Sequence, residues 1–258
     1  HWFNPSVLSL VVMSLLVITL MGPSWRQQAS PLTKDEAALI ILLDVSKSME
    51  QRDIQPSRLK RAQQKVSDLL ELREGSRTAL VGYAGSAHIV LTLTDDQQIF
   101  RQYLSALKTE VMPRSGKFPE YALPLLDRIA TDDSIPTTVL LVTDGVSNVS
   151  EAAYTDYFSN SQRQLLVWGI GDENPTAADI APLEADALRN LAASADGKYI
   201  ELSVDKRDVL RIQRQVNSHY VVATDESVPW LDSGYWLVFP CLILFSLWFR
   251  KGWTLQWC

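Results

Sequence analysis

The sequence predicts an α/β domain with a mostly parallel central sheet flanked by helices. Short apolar runs alternate with amphipathic stretches through the whole middle of the chain. The first run, AALIILLDVS, is apolar at consecutive positions, as in a strand covered on both faces. Two of the runs end in acids, Asp44 in DVSKS and Asp144 in TDG.

The elements follow in order. After AALIILLDVS comes PSRLKRAQQKVSDLLELREG, with Leu59, Ala62, Val66, Leu69 and Leu70 at helical spacing, Pro56 opening it and Gly75 closing it. RTALVGYAG and AHIVLTLT read as strands joined by a tight hairpin at Gly85–Ser86. DDQQIFRQYLSAL is a helix with an acidic first turn. PEYALPLLDRIA is another, interrupted by Pro124. TTVLLVTDG and QLLVWGIGD are strands, and DALRNLAASADG is a helix stopped by Gly197. KYIEL is a short strand and DKRDVLRIQRQVNSHY a last helix.

The ends have a different character. Residues 1–25 carry no Lys, Arg, Asp or Glu and contain VLSLVVMSLLVITLMG; GYWLVFPCLILFSLWF is uncharged up to Arg250 and Lys251. Of eight tryptophans, only Trp168 lies far from these two runs, and Trp prefers the headgroup region of a bilayer. A transmembrane helix is therefore expected at each end. The expected layout is a transmembrane helix at 1–25, a linker at 26–36, the central domain at 37–222, a juxtamembrane linker at 223–234, a transmembrane helix at 235–249 and a cytoplasmic tail at 250–258. Arg250–Lys251 after the second span place that side in the cytoplasm and the domain outside it, in the periplasm of a Gram-negative cell; Arg26 is a mild counter-signal.

Composition narrows the function. The 258 residues carry a formal net charge of −6, with no basic run to track phosphates, so nucleic acid is not expected as a partner. Cys241 and Cys258 lie in or beyond the second apolar run, and His1, His88 and His219 are far apart. A zinc site or a His-based triad has little to draw on.

What remains is chemistry at the strand ends. Asp44, Ser46 and Ser48 form D-x-S-x-S after the first strand, and Asp144 stands in T-D-G after the TTVLLV strand. Read singly, each acid caps a helix or a turn. If the two strands are neighbours, two carboxylates and two hydroxyls share one crevice. Such an all-oxygen set suits a hard cation such as Mg²⁺. Asp172–Glu173, Asp95–Asp96 and Asp132–Asp133 read as a solvated loop, a helix cap and a polar turn. Tyr83, Trp168 and Met49 read as packing, and Gly169-x-Gly171 is too short for a phosphate loop.

DVSKSM, QPSRLKRAQQ, GYAGSAHIVLTLTDD, VLLVTDG and the aromatic C-terminal run followed by RKGW resemble the von Willebrand factor A (VWA) domain proteins of the membrane-anchored bacterial Bat (aerotolerance-type) group. The resemblance implies a Rossmann-like VWA fold with a metal-ion-dependent adhesion site. Ser46 and Ser48 would bind Mg²⁺ directly, Asp44 and Asp144 through waters, and an acidic side chain of a partner protein would complete the coordination. It also implies other VWA or tetratricopeptide envelope proteins as partners and an indirect link to a MoxR-type AAA+ ATPase at the inner membrane.

One position departs from the pattern. The family's coordinating Thr follows a glycine, and here Lys117 follows Gly116. Three readings stay open: the ammonium swings into solvent, it sits among Asp44 and Asp144 in place of the cation, or Ser115 or a shifted register restores a hydroxyl. The expected function is a membrane-tethered interaction module and not an enzyme. The alternatives are a phosphoryl-transfer enzyme with an Asp nucleophile, which would want an acid where Ser46 stands, and a metal-independent structural tether.

Overall fold

The computed structural model describes Leu10, Met13, Ser14, Val17, residues 24–27, 38–130, 135–147, 149–159, 161, 163–175, 177, 180–225, 230–232, Phe239 and Leu242. The chain divides into two compact units, Leu32–Asp225 and a unit of His1–Pro31 with Glu226–Cys258. In the latter, β1 (Ser24–Gln27) pairs antiparallel with β8 (Trp230–Asp232), a ribbon the sequence reading does not include. Among the described residues no helix is long and apolar enough to cross a membrane. The spans expected at 1–25 and 235–249 lie outside the described residues apart from a few positions. The Asp132–Asp133 turn also lies outside them.

The central unit runs β2 (Ala38–Asp44), α1 (Arg58–Glu71), β3 (Thr78–Tyr83), β4 (Ala87–Thr94), α2 (Gln97–Ala106), α3 (Leu123–Ile129), β5 (Thr137–Thr143), α4 (Ser150–Ser159), β6 (Gln164–Gly169), α5 (Ala185–Ser194), β7 (Lys198–Glu201) and α6 (Arg207–Asp225). The sheet order is β4-β3-β2-β5-β6-β7. All neighbours are parallel except the β3–β4 hairpin.

Period-two alternation splits the core. On one face Leu39, Ile41, Leu43, Leu140, Val142 and Trp168 pack with Val66 and Leu69 of α1, Phe100 of α2 and Val209 and Ile212 of α6. On the other, Ile40, Leu42, Val139, Leu141 and Val167 pack with Leu126 of α3, Tyr154 of α4 and Leu188 of α5. With both faces covered, β2 and β5 are buried along their whole lengths, which is why ALIILL and VLLV run apolar without alternation.

Local chemistry sets the element ends. Ser57, one residue after Pro56, caps α1 by accepting from the Lys60 amide. Asp96 caps α2 by accepting from the Gln98 and Ile99 amides. Pro124 does not interrupt a helix. A short 3₁₀ turn at Pro119–Ala122 leads into α3, and Pro124 sits in the first turn of α3, where its missing N–H costs nothing. Helix α4 is absent from the sequence reading.

This topology positions the site. From β2 the chain goes first to β3 on one side and returns later to β5 on the other. The β2–β5 boundary is therefore the switch point of the sheet, where a crevice opens beyond the carboxyl ends of the strands.

Candidate functional site at the strand ends

The β2–β5 register pairs Leu43 with Val142, which brings Asp44 beside Thr143 one position further. Asp44 is fully buried. The Ser46 amide donates to Asp44 Oδ1 at 2.8 Å. Thr143 Oγ1 lies 2.7 Å from Asp44 Oδ2 and 2.7 Å from the Gly145 carbonyl oxygen. A hydroxyl has one proton to give, so an ionised Asp44 leaves one of these contacts without a hydrogen. A protonated Asp44 donates to Thr143, which then donates to Gly145, and both are satisfied. Burial, with the Asp144 charge adding to it, pushes the Asp44 carboxyl from 3.8 up to about 6, against the Lys117 charge and the Ser46 hydrogen bonds.

Asp144 has the opposite surroundings. Lys117 Nζ donates to Asp144 Oδ1. Ser48 Oγ donates to the same oxygen at 3.0 Å and lies 3.1 Å from Ser46 Oγ. Arg58 Nη1 donates to Asp144 Oδ2 at 2.6 Å. Arg58 also grips both oxygens of Asp53 through Nε and reaches the Ala181 carbonyl. Burial alone would lower the Arg58 guanidinium; its carboxylate partners outweigh this and hold it above its ordinary value. The carboxylate of Asp144 thus has one cation on each oxygen.

A helix start delivers Arg58 and a loop delivers Lys117. The Gly85 amide donates to the Arg114 carbonyl at 3.1 Å and the Phe118 amide to the Ala84 carbonyl at 2.9 Å. They clamp the Lys117 loop to the β3–β4 hairpin. Gly85 has no room for a side chain, because a Cβ there would stand 2.3 Å from the Ser115 carbonyl oxygen. Gly116 adopts φ +145°, open to glycine alone at low cost. Gly171 faces Arg58, where a Cβ would come within 3.2 Å of the guanidinium. Beside Ser46 a cleft of about 330 Å³ opens, bordered by Lys47, Glu50, Glu110 and Arg114.

Residues 39–146, which include every site position just described except Ala181 and Gly171, match the family model for the von Willebrand factor type A domain. The chain carries a VWA domain. Its structural neighbours include BatB from Bacteroides thetaiotaomicron, at TM-score 0.65 and 20% identity, covering 71% of this chain and 98% of that one. An aerotolerance-related membrane protein from Bacteroides fragilis matches at TM-score 0.63 and 22% identity, covering 70% of this chain and 99% of that one. At these identities the likeness is one of fold. A UPF0353 protein from Nocardia farcinica is 28% identical over 278 residues, covering 96% of this chain and 82% of its own.

In this VWA domain all the expected site residues meet: Asp44, Ser46, Ser48, Lys117 and Asp144. Ser115 is exposed and does not take the lysine's place. The set fits a divalent cation poorly. A dication wants open oxygen ligands, whereas both Asp144 oxygens already hold cations. A dication roughly 4 Å from an ammonium meets a repulsion of about 8 kcal/mol at an effective dielectric constant near 20. Arg58 and Asp53 are the site residues the sequence reading missed. The available signal was a basic residue at the first position of a helix, where the dipole favours acids and a cation needs its own partner.

The remaining candidates fall elsewhere. Met49, Tyr83 and Trp168 are fully buried. The Asp172 amide donates to Asp53 Oδ2 at 2.7 Å, and Glu173 pairs with Arg189. Gly169 makes room for Tyr199.

Proposed function

We propose that the chain is a membrane-tethered protein-interaction module whose VWA domain docks a partner through the ends of β2 and β5. The observation that carries this reading is the convergence of Ser48 and Lys117 on Asp144, with Ser46 against Ser48, at the switch point of the sheet. Lys117 is partly exposed, and an ammonium has three donors, of which Asp144 takes one. An acidic side chain of the partner would be received by the remaining donors of the lysine. The phosphoryl-transfer alternative has weaker support, because Asp44 is sealed from solvent and Ser46 stands where a general acid is needed.

Membrane attachment is supported from two sides. The fold relative from Bacteroides fragilis is an aerotolerance-related membrane protein. In this chain Leu10, Met13, Val17, Phe239 and Leu242 are helical with between 51% and 70% of their surface exposed, an apolar exterior that lipid would cover. We place the protein in the bacterial inner membrane with the domain in the periplasm. By its resemblance to the Bat group, its assembly would include other VWA or tetratricopeptide envelope proteins, with a MoxR-type AAA+ ATPase acting indirectly.

Affinity purification from crosslinked, detergent-solubilised membranes tests the docking face. The parent should retain a partner that Lys117→Glu and Ser48→Lys both lose. Equal recovery by all three proteins would overturn docking at this face. Hydrolysis of a generic phosphate ester that Asp44→Asn abolishes would favour the enzyme instead.

A further inference from the structure

We propose that this VWA domain carries its own cation: the Lys117 ammonium stands in for the divalent ion, and the site is independent of metal. The inference concerns the domain itself and holds whether or not a partner docks there.

Three features support it. The first is chemical. Lys117 Nζ and Ser48 Oγ donate to the same Asp144 oxygen, Oδ1, so the ammonium occupies the carboxylate oxygen that Ser48 binds, with the Ser46 hydroxyl against Ser48. The second is positional. Lys117 is not a long side chain that happened to fold inward. Its loop is clamped by the Gly85 and Phe118 amides, and the glycine at position 85 allows the Ser115 backbone to approach. The third is compensation from behind. Arg58, 1% exposed at its side chain, holds Asp144 Oδ2 from the buried side, while Lys117, at 21%, closes the mouth. A carboxylate with both oxygens held by cations has no charge left to offer a dication.

Calorimetric titration and thermal unfolding of the full chain in detergent, with MgCl₂ or MnCl₂ as the probe, decide the matter. The parent should show no saturable heat at millimolar metal and the same melting temperature in metal and in EDTA. Lys117→Arg, which keeps the charge, should behave like the parent. Lys117→Thr should bind metal roughly tenfold tighter or better, with a metal-dependent rise in melting temperature. Adding Asp144→Ala to Lys117→Thr should abolish that gain. Saturable Mg²⁺ binding by the parent would overturn the proposal, and this measurement needs no variant to fold. A Lys117→Thr protein as indifferent to metal as the parent would also overturn it. Because the probe is metal alone, failure to find a docking partner leaves either result intact.

Discussion

Arg58 Nη1 lies 2.6 Å from Asp144 Oδ2, and both side chains are 1% exposed. The pair joins the first residue of α1 to the end of β5, across the switch point of the sheet. Arg58 also binds Asp53, so a single guanidinium bridges two buried carboxylates, and Lys117 supplies the second positive charge.

Breaking that link should cost stability. Arg58→Met leaves Asp53 with only backbone amides, and Asp144 with Lys117 as its one cation beside the Ser48 hydroxyl. Removing one partner of a buried ion pair costs about 3–5 kcal/mol, and denaturant unfolding should show a loss of that size. Arg58→Lys should recover little of it, because an ammonium cannot fork between two carboxylates as a guanidinium does. Parent-like stability in Arg58→Lys would mean that charge alone is sufficient there.

The Asp44 carboxyl makes a prediction about pH. Its folded value, about 6, lies above its ordinary value of 3.8. Between these values the folded state binds more protons than the unfolded state. Its contribution therefore lowers stability as pH rises from about 4 to about 6, and the loss persists above that window. A shift of this size corresponds to something on the order of 3 kcal/mol. Asp44→Asn imitates the protonated form: its amide donates to Thr143 and its oxygen accepts from the Ser46 amide. It should melt higher than the parent at pH 7.5 and converge with it near pH 4. An Asn variant less stable than the parent at pH 7.5 would show that the ionised form is the one the fold prefers.

Topology rests on Arg250–Lys251, which follow the second apolar run. Protease added to intact spheroplasts should digest the central unit. Protection in spheroplasts, with digestion only after lysis, would place the domain in the cytoplasm and allow direct contact with a cytoplasmic ATPase.

The sheet and most helices were legible because burial on both faces forces strand sequences to be apolar and amphipathic helices to repeat at 3.6. Helix α4 was not, because its buried positions are only Ser150, Tyr154 and Phe158, with Thr155, Asp156 and Tyr157 between them. The β1–β8 ribbon joins two strands of three or four residues about 200 positions apart, and neither strand carries a pattern of its own. At the site, Asp44, Ser46, Ser48 and Asp144 stood out through their spacing after apolar strands. Arg58 did not, because its role depends on Asp53 and Asp144 folding around it. The direction of Lys117 was open for the same reason: it is set by the packing of Gly85 against Ser115, a contact between distant loops.

That contact yields the last prediction. A methyl group at position 85 would stand 2.3 Å from the Ser115 carbonyl oxygen and 2.7 Å from its carbon, closer than real Cβ contacts come. The obstacle is backbone, which cannot rotate away, so the 112–118 loop must move outward. Gly85→Ala should therefore lower stability by about 1–3 kcal/mol, the usual cost of overpacking. It should also pull Lys117 away from Asp144 without changing any charged residue. Combined with Lys117→Met it should cost less than the sum of the two single losses, because the lysine contact is already weakened in Gly85→Ala. Denaturant unfolding of the four proteins measures the coupling. Strict additivity would show that the hairpin glycine and the lysine act independently, and that the loop does not owe its position to the packing at Gly85.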